Sequence, residues 1–326
     1  MLMNSLCALA LGFVLDMIFG NPSGKLYPLE LIKSLVKSLE NTLRKAYADS
    51  PEAQNMAGIM LIVMTLIICV GISVILLVIC YKISVVLGII MEGVLCWISL
   101  SVKFLRVAGQ GVFRAARSGN ISTARRYLKK ITCRDTENLD MDNAMKCVIE
   151  TVSENTTDWI IAPIFWICIF GGVGGIFCRC INIMDNTVGY RTEDCRHFGR
   201  YPALLDDIIN FIPARIAAGL MKINVRFLKL DSKNAEEIYK RDRKKSLSPN
   251  SGCTQAVCAG AIGVQIGSDE YYDGQLVRKP VIGSSERPVE PSDVYWANQL
   301  TSGTAAYGII LAALVKTAIY VLMILI

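Results

Sequence analysis

An uncharged apolar run of 25 residues, from Met56 to Cys80, constrains this chain more than any other feature of its sequence. A helix of about 20 apolar residues crosses the hydrocarbon core of a bilayer, and its backbone polar groups bond to one another there. Of the 326 residues, 53% are hydrophobic and 19% are charged, against about 25% charged in soluble domains. These values exclude a disordered chain and a disulfide-stapled miniprotein, and they disfavour a fully soluble globule.

Four further apolar stretches predict membrane segments, at residues 1–19, 83–105, 159–184 and 304–326. The first lacks the basic start and the small-residue cleavage site of a signal peptide, so we predict a retained helix. Lys82 leaves almost no loop between the run 56–80 and the stretch 83–105. These two segments are therefore predicted to form a helical hairpin.

The stretch 159–184 is predicted to be broken or re-entrant. Pro163 and the glycine cluster at 171–175 interrupt it, and glycine weakens a continuous helix. A single crossing would place the two most basic segments, 106–158 and 185–303, on opposite sides of the membrane, against the positive-inside rule. We therefore predict re-entry or a compensating crossing, with all polar segments in the cytoplasm.

The predicted fold class is an all-α integral membrane protein of roughly four to six apolar helices, one of them broken or re-entrant, with helical cytoplasmic segments. We predict one membrane-embedded domain over residues 1–326, multi-pass in the cell (inner) membrane. Its polar catalytic segments, 106–158 and 185–303, are expected to face the cytoplasm. The net charge of +6 is weak evidence for nucleic-acid binding, and we predict none. It fits a protein beside anionic membrane lipid or anionic small molecules.

The scarcity of histidine limits the available chemistry. His197 is the single histidine, which excludes a multi-histidine metal centre. The 12 cysteines include no Cys-x-x-Cys motif, and we predict that they are small core residues in a reducing compartment. Acid–base chemistry must then use carboxylates, Lys, Tyr, Cys or that histidine.

Three carboxylates, Glu150, Glu154 and Asp158, recur at intervals of four residues. On a helix they would lie along one face, with Asn155 beside them. Like charges at this spacing destabilise a helix, and a divalent cation or a basic partner removes that cost. Two interpretations follow: a Mg²⁺ site of oxygen ligands, or an ordinary acidic face with arginine neighbours.

A second polar cluster ends the apolar stretch 159–184. It comprises Asn182, Asp185, Asn186 and the tripeptide Gly189–Tyr190–Arg191. Polar groups at membrane depth are costly unless they serve a site or a partner. The alternative is a helix end that is solvated among the lipid headgroups.

Two further clusters suit phosphate chemistry. Asp206, Asp207 and Asn210 precede Arg215, whose planar guanidinium either pairs with these carboxylates or binds a phosphate. The segment Ser248–Asn250 follows two lysines and is either a phosphate-binding loop or a plain turn. No Walker A motif and no Gly-x-Ser-x-Gly motif occurs, so the sequence favours metal-assisted phosphoryl or acyl chemistry at the membrane surface.

Together these motifs resemble the signature of the adenosylcobinamide-phosphate synthase (CobD/CbiB) family. They occur in the family's order over about residues 12–290. The matching elements are Asp16-x-x-x-Gly20-x-Pro22, Arg134–Thr136, Glu154–Asp158 with Ala162–Pro163, Asn182-x-x-Asp185-x-x-x-Gly189-Tyr190, Phe198–Gly199, Asp206-Asp207-x-x-Asn210-x-x-Pro213-Ala214-Arg215, Ser248–Asn250 and Ala259-Gly260-Ala261-x-Gly263.

The resemblance implies a membrane enzyme of cobalamin biosynthesis. Such an enzyme joins aminopropanol, or its O-phosphate, to a free carboxylate of adenosylcobyric acid, coupled to ATP and Mg²⁺. A corrinoid and an amino alcohol are therefore the expected substrates. The sequence leaves open whether the amine is phosphorylated, and also the oligomeric state.

Site roles follow from this resemblance and from the residue chemistry. The expected Mg²⁺ ligands are Glu150, Glu154, Asp158 and Asp185. The expected catalytic residues are Asp206 or Asp207 as the base and Arg215 at the phosphates. The expected substrate- and nucleotide-binding residues are Asn155, Asn182, Tyr190, Asn210, Ser248 and Asn250.

Three positions depart from the family pattern. Asn21 and Gln255 stand where the family usually has carboxylates, and Tyr27 stands where it usually has histidine. A divergent branch, an altered substrate preference or a reduced activity would account for them.

Two alternatives are non-enzymatic. Asp16, Glu92, Lys316 and the glycine break would suit the solute path of a transporter or a corrinoid-binding component. A scaffold of a biosynthetic complex would bind without turnover. A transporter concentrates polar residues inside its spans, whereas this chain places most of them in segments 106–158 and 185–303.

Overall fold

The structure is a computed structural model that describes residues 2–22, 24, 27–189, 196–267, 270–272, 275–285 and 287–325. Helices dominate this part of the chain. They are α1 (Leu2–Phe19), α2 (Pro28–Ala46), α3 (Pro51–Ile83), α4 (Val85–Ser99), α5 (Val102–Arg117), α6 (Ile121–Leu128), α7 (Met141–Thr156), α8 (Ala162–Val188), α9 (Arg200–Phe227), α10 (Ser232–Asp242), α11 (Ser251–Ile262) and α12 (Pro291–Leu325). A π-helical turn, Thr157–Ile161, joins α7 to α8, and strands β1 (Glu270–Tyr272) and β2 (Gln275–Val277) form a short antiparallel hairpin.

Five helical stretches of the described chain are long and apolar enough to cross a membrane. They are α3, the α4–α5 stretch from Val85 to Arg117, the α7–α8 stretch from Met141 to Val188, α9, and α12. The shorter apolar helix α1 accompanies them. The predicted class, an all-α multi-pass membrane protein, is confirmed.

The predicted hairpin of apolar helices is present with a one-residue connection. α3 ends at Ile83 and α4 begins at Val85. Between them, the Ser84 hydroxyl accepts a hydrogen bond from the Leu87 amide at 3.1 Å and so caps α4.

Helix α9 lies within the segment 185–303 that the sequence analysis treated as polar. It is long and apolar enough to span a membrane, with a mean hydropathy of 1.3 in its best window. Its carboxylates and amide, Asp206, Asp207 and Asn210, alternate with exposed apolar side chains such as Ile208 and Phe211. This mixture lowers the mean hydropathy of α9 below that of the other four stretches. As a result, α9 does not stand out as an apolar run in the sequence.

The chain divides into two compact units. Unit 1 comprises Met1–Ser101, Ala162–Ile209 and Ile309–Ile326. Within it, α1 and α4 approach closely at Gly12, where an added Cβ atom would lie 2.4 Å from the Cβ of Cys96. Small residues allow such close packing between membrane helices. This packing matters because the hydrophobic effect does not drive helix association within a lipid bilayer.

Helix α8 is interrupted at Gly171, as the glycine cluster predicted. This residue has φ 67° and ψ −160°, a conformation that is essentially restricted to glycine. The carboxylate of Glu92 accepts hydrogen bonds from the Tyr81 hydroxyl at 2.6 Å and from the Gly172 amide at 3.4 Å. A negative charge is favourable at this position, because the second half of α8 begins there with free amides.

Unit 2 comprises Val102–Ile161 and Asn210–Gly308. Its helix α7 packs against α5, α6 and α11. Helix α11 is buried along its whole length and packs tightly against α10, because Gly260 leaves no room for a side chain beside Ala235. The Asn234 amide also donates to the Gly260 carbonyl at 2.8 Å.

We predict that Gly171→Ala destabilises the protein, because the new Cβ atom would lie 2.4 Å from the Glu92 carboxylate in a strained backbone conformation. The expected cost is about 1–3 kcal/mol, visible as a lower melting temperature in detergent. Gly71→Ala in α3 is the matched control, since its Cβ atom meets no atom within 4 Å. Equal melting temperatures for the two variants would contradict the interpretation of the break.

Candidate functional site

Glu150 of α7 lies in a buried ion-pair cluster in unit 2. Its Oε1 atom accepts hydrogen bonds from Arg134 Nη2 at 2.5 Å and from Lys279 Nζ at 3.0 Å. The Arg134 and Glu150 side chains are only 5% and 6% exposed. Buried charges of this kind are stable only when their partners are in place.

Glu154 lies one helical turn further along α7. Gln255 of α11 donates to its Oε2 atom at 3.1 Å. The charges of Lys279, Arg134 and Glu150 also act on this carboxylate. The result is a buried group of two cations, two carboxylates and one amide, whose members come from three separate parts of the chain.

Glu150 and Glu154 lie one turn apart on α7, as the four-residue spacing predicted. α7 ends at Thr156, and Asp158 lies in the π-helical turn that follows. Asp158 thus lies outside the α-helix that carries the other two carboxylates, and its place beside them stays a prediction. Asn155 is buried, and its amide approaches the Ile131 carbonyl at 3.5 Å.

The contacts of Glu150 favour a basic partner over a metal ion at this position. Within the described ranges, no group of three or more His, Cys, Asp or Glu side chains is arranged to hold a metal ion. A preformed cage of carboxylates is therefore not seen in that part of the chain. The Mg²⁺ role of Glu150, Glu154, Asp158 and Asp185 stays a prediction.

The structure brings Arg215 of α9 and the loop residue Asn250 together. Arg215 Nη1 donates to Asn250 Oδ1 at 2.9 Å and to the Phe211 carbonyl at 2.5 Å. The guanidinium lies 3.5 Å from the centre of the Phe211 ring. The Ser248 hydroxyl accepts from the Asn250 amide at 3.2 Å and orders the loop. Such an arrangement fixes the plane of a guanidinium, as recognition of a phosphate requires.

Three other predicted residues lie on α9 itself. Asp206 is buried and Asp207 is half-buried, both in unit 1, whereas Asn210 is buried in unit 2. All three take part in polar interactions. Their assignment to the base and to substrate binding stays a prediction.

A second buried polar group lies in unit 1. Arg179 of α8 donates to Asn182 at 3.4 Å, and its charge and that of Asp16 act on Tyr27. Burial raises the pKa of Tyr27 to about 12, with Arg179 opposing the increase and Asp16 adding to it. Tyr27 is therefore neutral throughout the physiological pH range.

The remaining members of the second predicted cluster are only partly described. The Gly189 amide donates to the Asp185 carbonyl at 2.8 Å, and a Cβ atom at Gly189 would collide with the Asp185 carboxylate. A glycine is thus required beside this acid. Tyr190 lies outside the described residues.

Sequence reasoning did not assign site roles to Arg134, Arg179, Gln255 or Lys279. A charge inside the apolar run of α8 costs free energy, so Arg179 could have been identified from the sequence as a candidate site residue. Arg134 belongs to a motif that matched the family. Lys279 stands in an irregular segment with no local pattern, and nothing in the sequence pairs it with Glu150.

Asp242 holds the segment that carries Lys279. Its fully buried carboxylate accepts from the Gly283 amide at 2.9 Å and pairs with Arg241 and Lys245. Burial alone would raise the pKa of Asp242, but these hydrogen bonds and charges lower it well below its usual value. The segment 275–285 is thereby tied to the end of α10.

These features define a multi-pass helical membrane protein with a buried, charge-balanced polar cluster and an ordered arginine. The model of the family described as CobD/Cbib protein matches residues 9–301. The chain belongs to this family.

Relatives named "Cobalamin biosynthesis protein CobD" align along nearly their whole length. The Clostridium perfringens protein is 36% identical over 316 residues, which cover 96% of this chain and 98% of the relative. The Streptococcus sanguinis protein is 34% identical over 95% of this chain and 97% of its own. The Geobacter metallireducens protein is 32% identical over 93% and 94%. No solved structure matches the chain significantly.

We predict that Asp242→Asn lowers the free energy of unfolding at pH 7 by about 1.5–3 kcal/mol, because it removes charged hydrogen bonds. The folded-state pKa lies below the usual value of about 3.9, so the stabilisation is complete above that value and declines as the pH falls below it. The melting-temperature difference from the parent protein should therefore narrow between pH 7 and pH 3.

The matched control is Asp49→Asn, which changes an exposed aspartate. It should leave the melting temperature unchanged at both pH values. A difference between Asp242→Asn and the parent protein that stays constant down to pH 3 would contradict the proposed ionisation.

Proposed function

We propose that this protein catalyses ATP-dependent formation of an amide between a corrinoid carboxylate and an amino alcohol. Adenosylcobyric acid and aminopropanol, or aminopropanol phosphate, are the proposed substrates. Membership of the CobD/Cbib family over residues 9–301 supports a role in cobalamin biosynthesis. The observation that carries the chemical proposal is a buried cluster of four charged side chains, Arg134, Glu150, Lys279 and Glu154. Charged groups that are shielded from water act more strongly on a charged substrate.

The chemistry requires activation of the corrinoid carboxylate, since its oxygen is a poor leaving group. Attack of this carboxylate on the γ-phosphorus of ATP gives an acyl phosphate and ADP. The amine then attacks the acyl carbon, the C–N bond forms, and phosphate leaves. One proton of the amine passes to a base, for which we propose Asp206 or Asp207.

Arg215 and the Ser248–Asn250 loop are the proposed phosphate contacts. Asn250 and the Phe211 carbonyl hold Nη1 of the guanidinium, while Nε and Nη2 make no hydrogen bond within the described residues. These donors are oriented for a phosphate oxygen pair.

Magnesium is proposed to enter with the nucleotide. Mg²⁺ usually binds proteins through one or two carboxylates together with substrate phosphates and water, so it needs no cage of side chains. Glu154 and Asp158, or Asp185, are the proposed carboxylate contacts, and Glu150 is engaged by its two cations. The bound ion would neutralise phosphate charge during transfer.

The contacts of the intramembrane charges weigh against a transporter. Glu92 is bonded to Tyr81 and Gly172, and Lys316 donates to Ser5 at 3.0 Å. A solute path requires polar groups that exchange their partners for the solute, whereas these groups are held by the protein itself. We propose the cell membrane as the location, with the polar segments in the cytoplasm.

We predict that purified protein in detergent forms an amide from adenosylcobyric acid, ATP, Mg²⁺ and one of the two amines. Mass spectrometry of the corrinoid product and measurement of ADP would check this outcome. ATP consumption should require both the acid and the amine. Folded protein that yields no amide with either amine would refute the proposed function.

Glu154→Gln should reduce the rate of amide formation by at least about 100-fold, because it removes a charge proposed to act on the nucleotide–Mg²⁺ pair. Gln255→Leu should give a smaller loss of about tenfold, because it removes only the group that positions Glu154. Glu237→Gln, an exposed position on α10, is the control and should retain full activity. Full activity of Glu154→Gln would disprove the assigned role.

A further inference from the structure

The segment Val102–Lys130, which we call the basic hairpin, has an unusual charge distribution. It contains eight lysines and arginines and no aspartate or glutamate. The run 231–245 is a useful contrast, because its six basic residues are interleaved with four acidic ones. The positive charge of the basic hairpin is therefore not compensated along its own sequence.

The basic hairpin is a defined structure made of α5 and α6. The chain reverses at Gly119, which has φ 67°, and Asn120 caps α6 by accepting from the Thr123 amide at 3.0 Å. The Tyr127 ring packs against Gly111, where an added Cβ atom would lie 2.4 Å from the ring. Arg125 donates to the Leu139 carbonyl at 2.9 Å and ties α6 to the chain before α7.

Five exposed cations lie on this hairpin: Arg114, Arg117, Arg126, Lys129 and Lys130. The charged groups of Arg126 and Lys130 lie 6.0 Å and 5.3 Å from the centre of the Tyr127 ring. Arg114 is one helical turn from Gly111, the residue that contacts this ring. Two of the five cations thus lie beside the half-buried Tyr127 ring, which packs between α5 and α6.

Carboxylates do not neutralise this surface in the part of the chain that the structure describes. Lys129 pairs with Glu137 at 3.4 Å, but both side chains are more than 70% exposed. Such exposed pairs contribute little. Arg114, Arg117, Arg126 and Lys130 have no carboxylate within ion-pair distance among the described residues.

We propose that the basic hairpin binds the phosphate groups of anionic phospholipids. It follows the apolar helix α4 with only two residues between them, and clusters of four to eight basic residues next to a membrane helix attract anionic lipid. Its first turn carries Phe104, whose ring centre lies 6.2 Å from that of Trp159 in the π-helical turn Thr157–Ile161, and tryptophan is enriched at membrane interfaces.

The spread of the cations distinguishes a lipid surface from a single soluble anion. A site for one small anion gathers its donors around one point in a partly enclosed space. The five cations instead lie exposed on α5, on α6 and just after the end of α6, an open arrangement that suits several separate phosphates. The inference is independent of the reaction proposed above.

The experiment uses the full chain, delipidated in detergent, and native mass spectrometry with added phosphatidylglycerol or phosphatidylcholine. The parent protein should bind phosphatidylglycerol in at least about tenfold preference to phosphatidylcholine. Each basic residue near an anionic surface raises the binding constant roughly fivefold. The preference should fall as NaCl is raised from about 50 mM to 500 mM, because salt screens exposed charges.

The test variant changes Arg114, Arg117, Arg126, Lys129 and Lys130 to glutamine, and it should lose the preference. The control variant changes five exposed cations outside the basic hairpin to glutamine, and it should keep the preference: Arg226, Lys229, Lys233, Lys240 and Lys244. Both variants remove the same charge. If the variant with all five substitutions fails to fold, two partial variants replace it: R114Q/R117Q and R126Q/K129Q/K130Q. Each of them should lower the preference for phosphatidylglycerol.

Two results would overturn the proposal. One is an unchanged phosphatidylglycerol preference in the folded test variant or in both partial variants. The other is complete displacement of phosphatidylglycerol by about 10 mM inorganic phosphate or ATP, with binding of that soluble anion lost in the test variant. That result would assign the surface to a soluble anion.

Discussion

Pairing of buried charge is the constraint on which this structure depends. A carboxylate that leaves water must find cations or amides in fixed positions, or folding is penalised by several kcal/mol. Glu150 finds Arg134 at a separation of 16 residues and Lys279 at a separation of 129 residues. Glu154 finds Gln255 at a separation of 101 residues. The cluster therefore forms only when α7, α11 and the segment 275–285 have assembled.

The same principle explains features that are far from this cluster in the sequence. In unit 1, Glu92 accepts from Tyr81 and from the amide that begins the second half of α8. In unit 2, Asp242 accepts from the Gly283 amide and keeps the segment of Lys279 in place. Each acid thus stabilises an irregular piece of backbone within its own unit.

Much of the architecture followed from local patterns. The apolar runs predicted α1, the α3–α4 hairpin and the C-terminal helix, because a chain in lipid must satisfy its backbone within a helix. The glycine cluster predicted the break at Gly171. Two features escaped these patterns. The carboxylates of α9 interrupt its apolar pattern and hide a helix, and a π-helical turn at Thr157–Ile161, rather than the α-helix, carries Asp158.

The sequence by itself determined the class of the protein, an all-α membrane protein of the CobD/Cbib family, since hydropathy and motif order are properties of the linear chain. It also identified Glu150, Glu154 and Arg215 as residues of interest. Only the tertiary structure decided their partners: Arg134 and Lys279 for Glu150, Gln255 for Glu154, and Asn250 for Arg215. The physical reason is that hydrogen bonds and ion pairs act over a few ångströms in space. The number of residues between two positions in the sequence does not determine that distance.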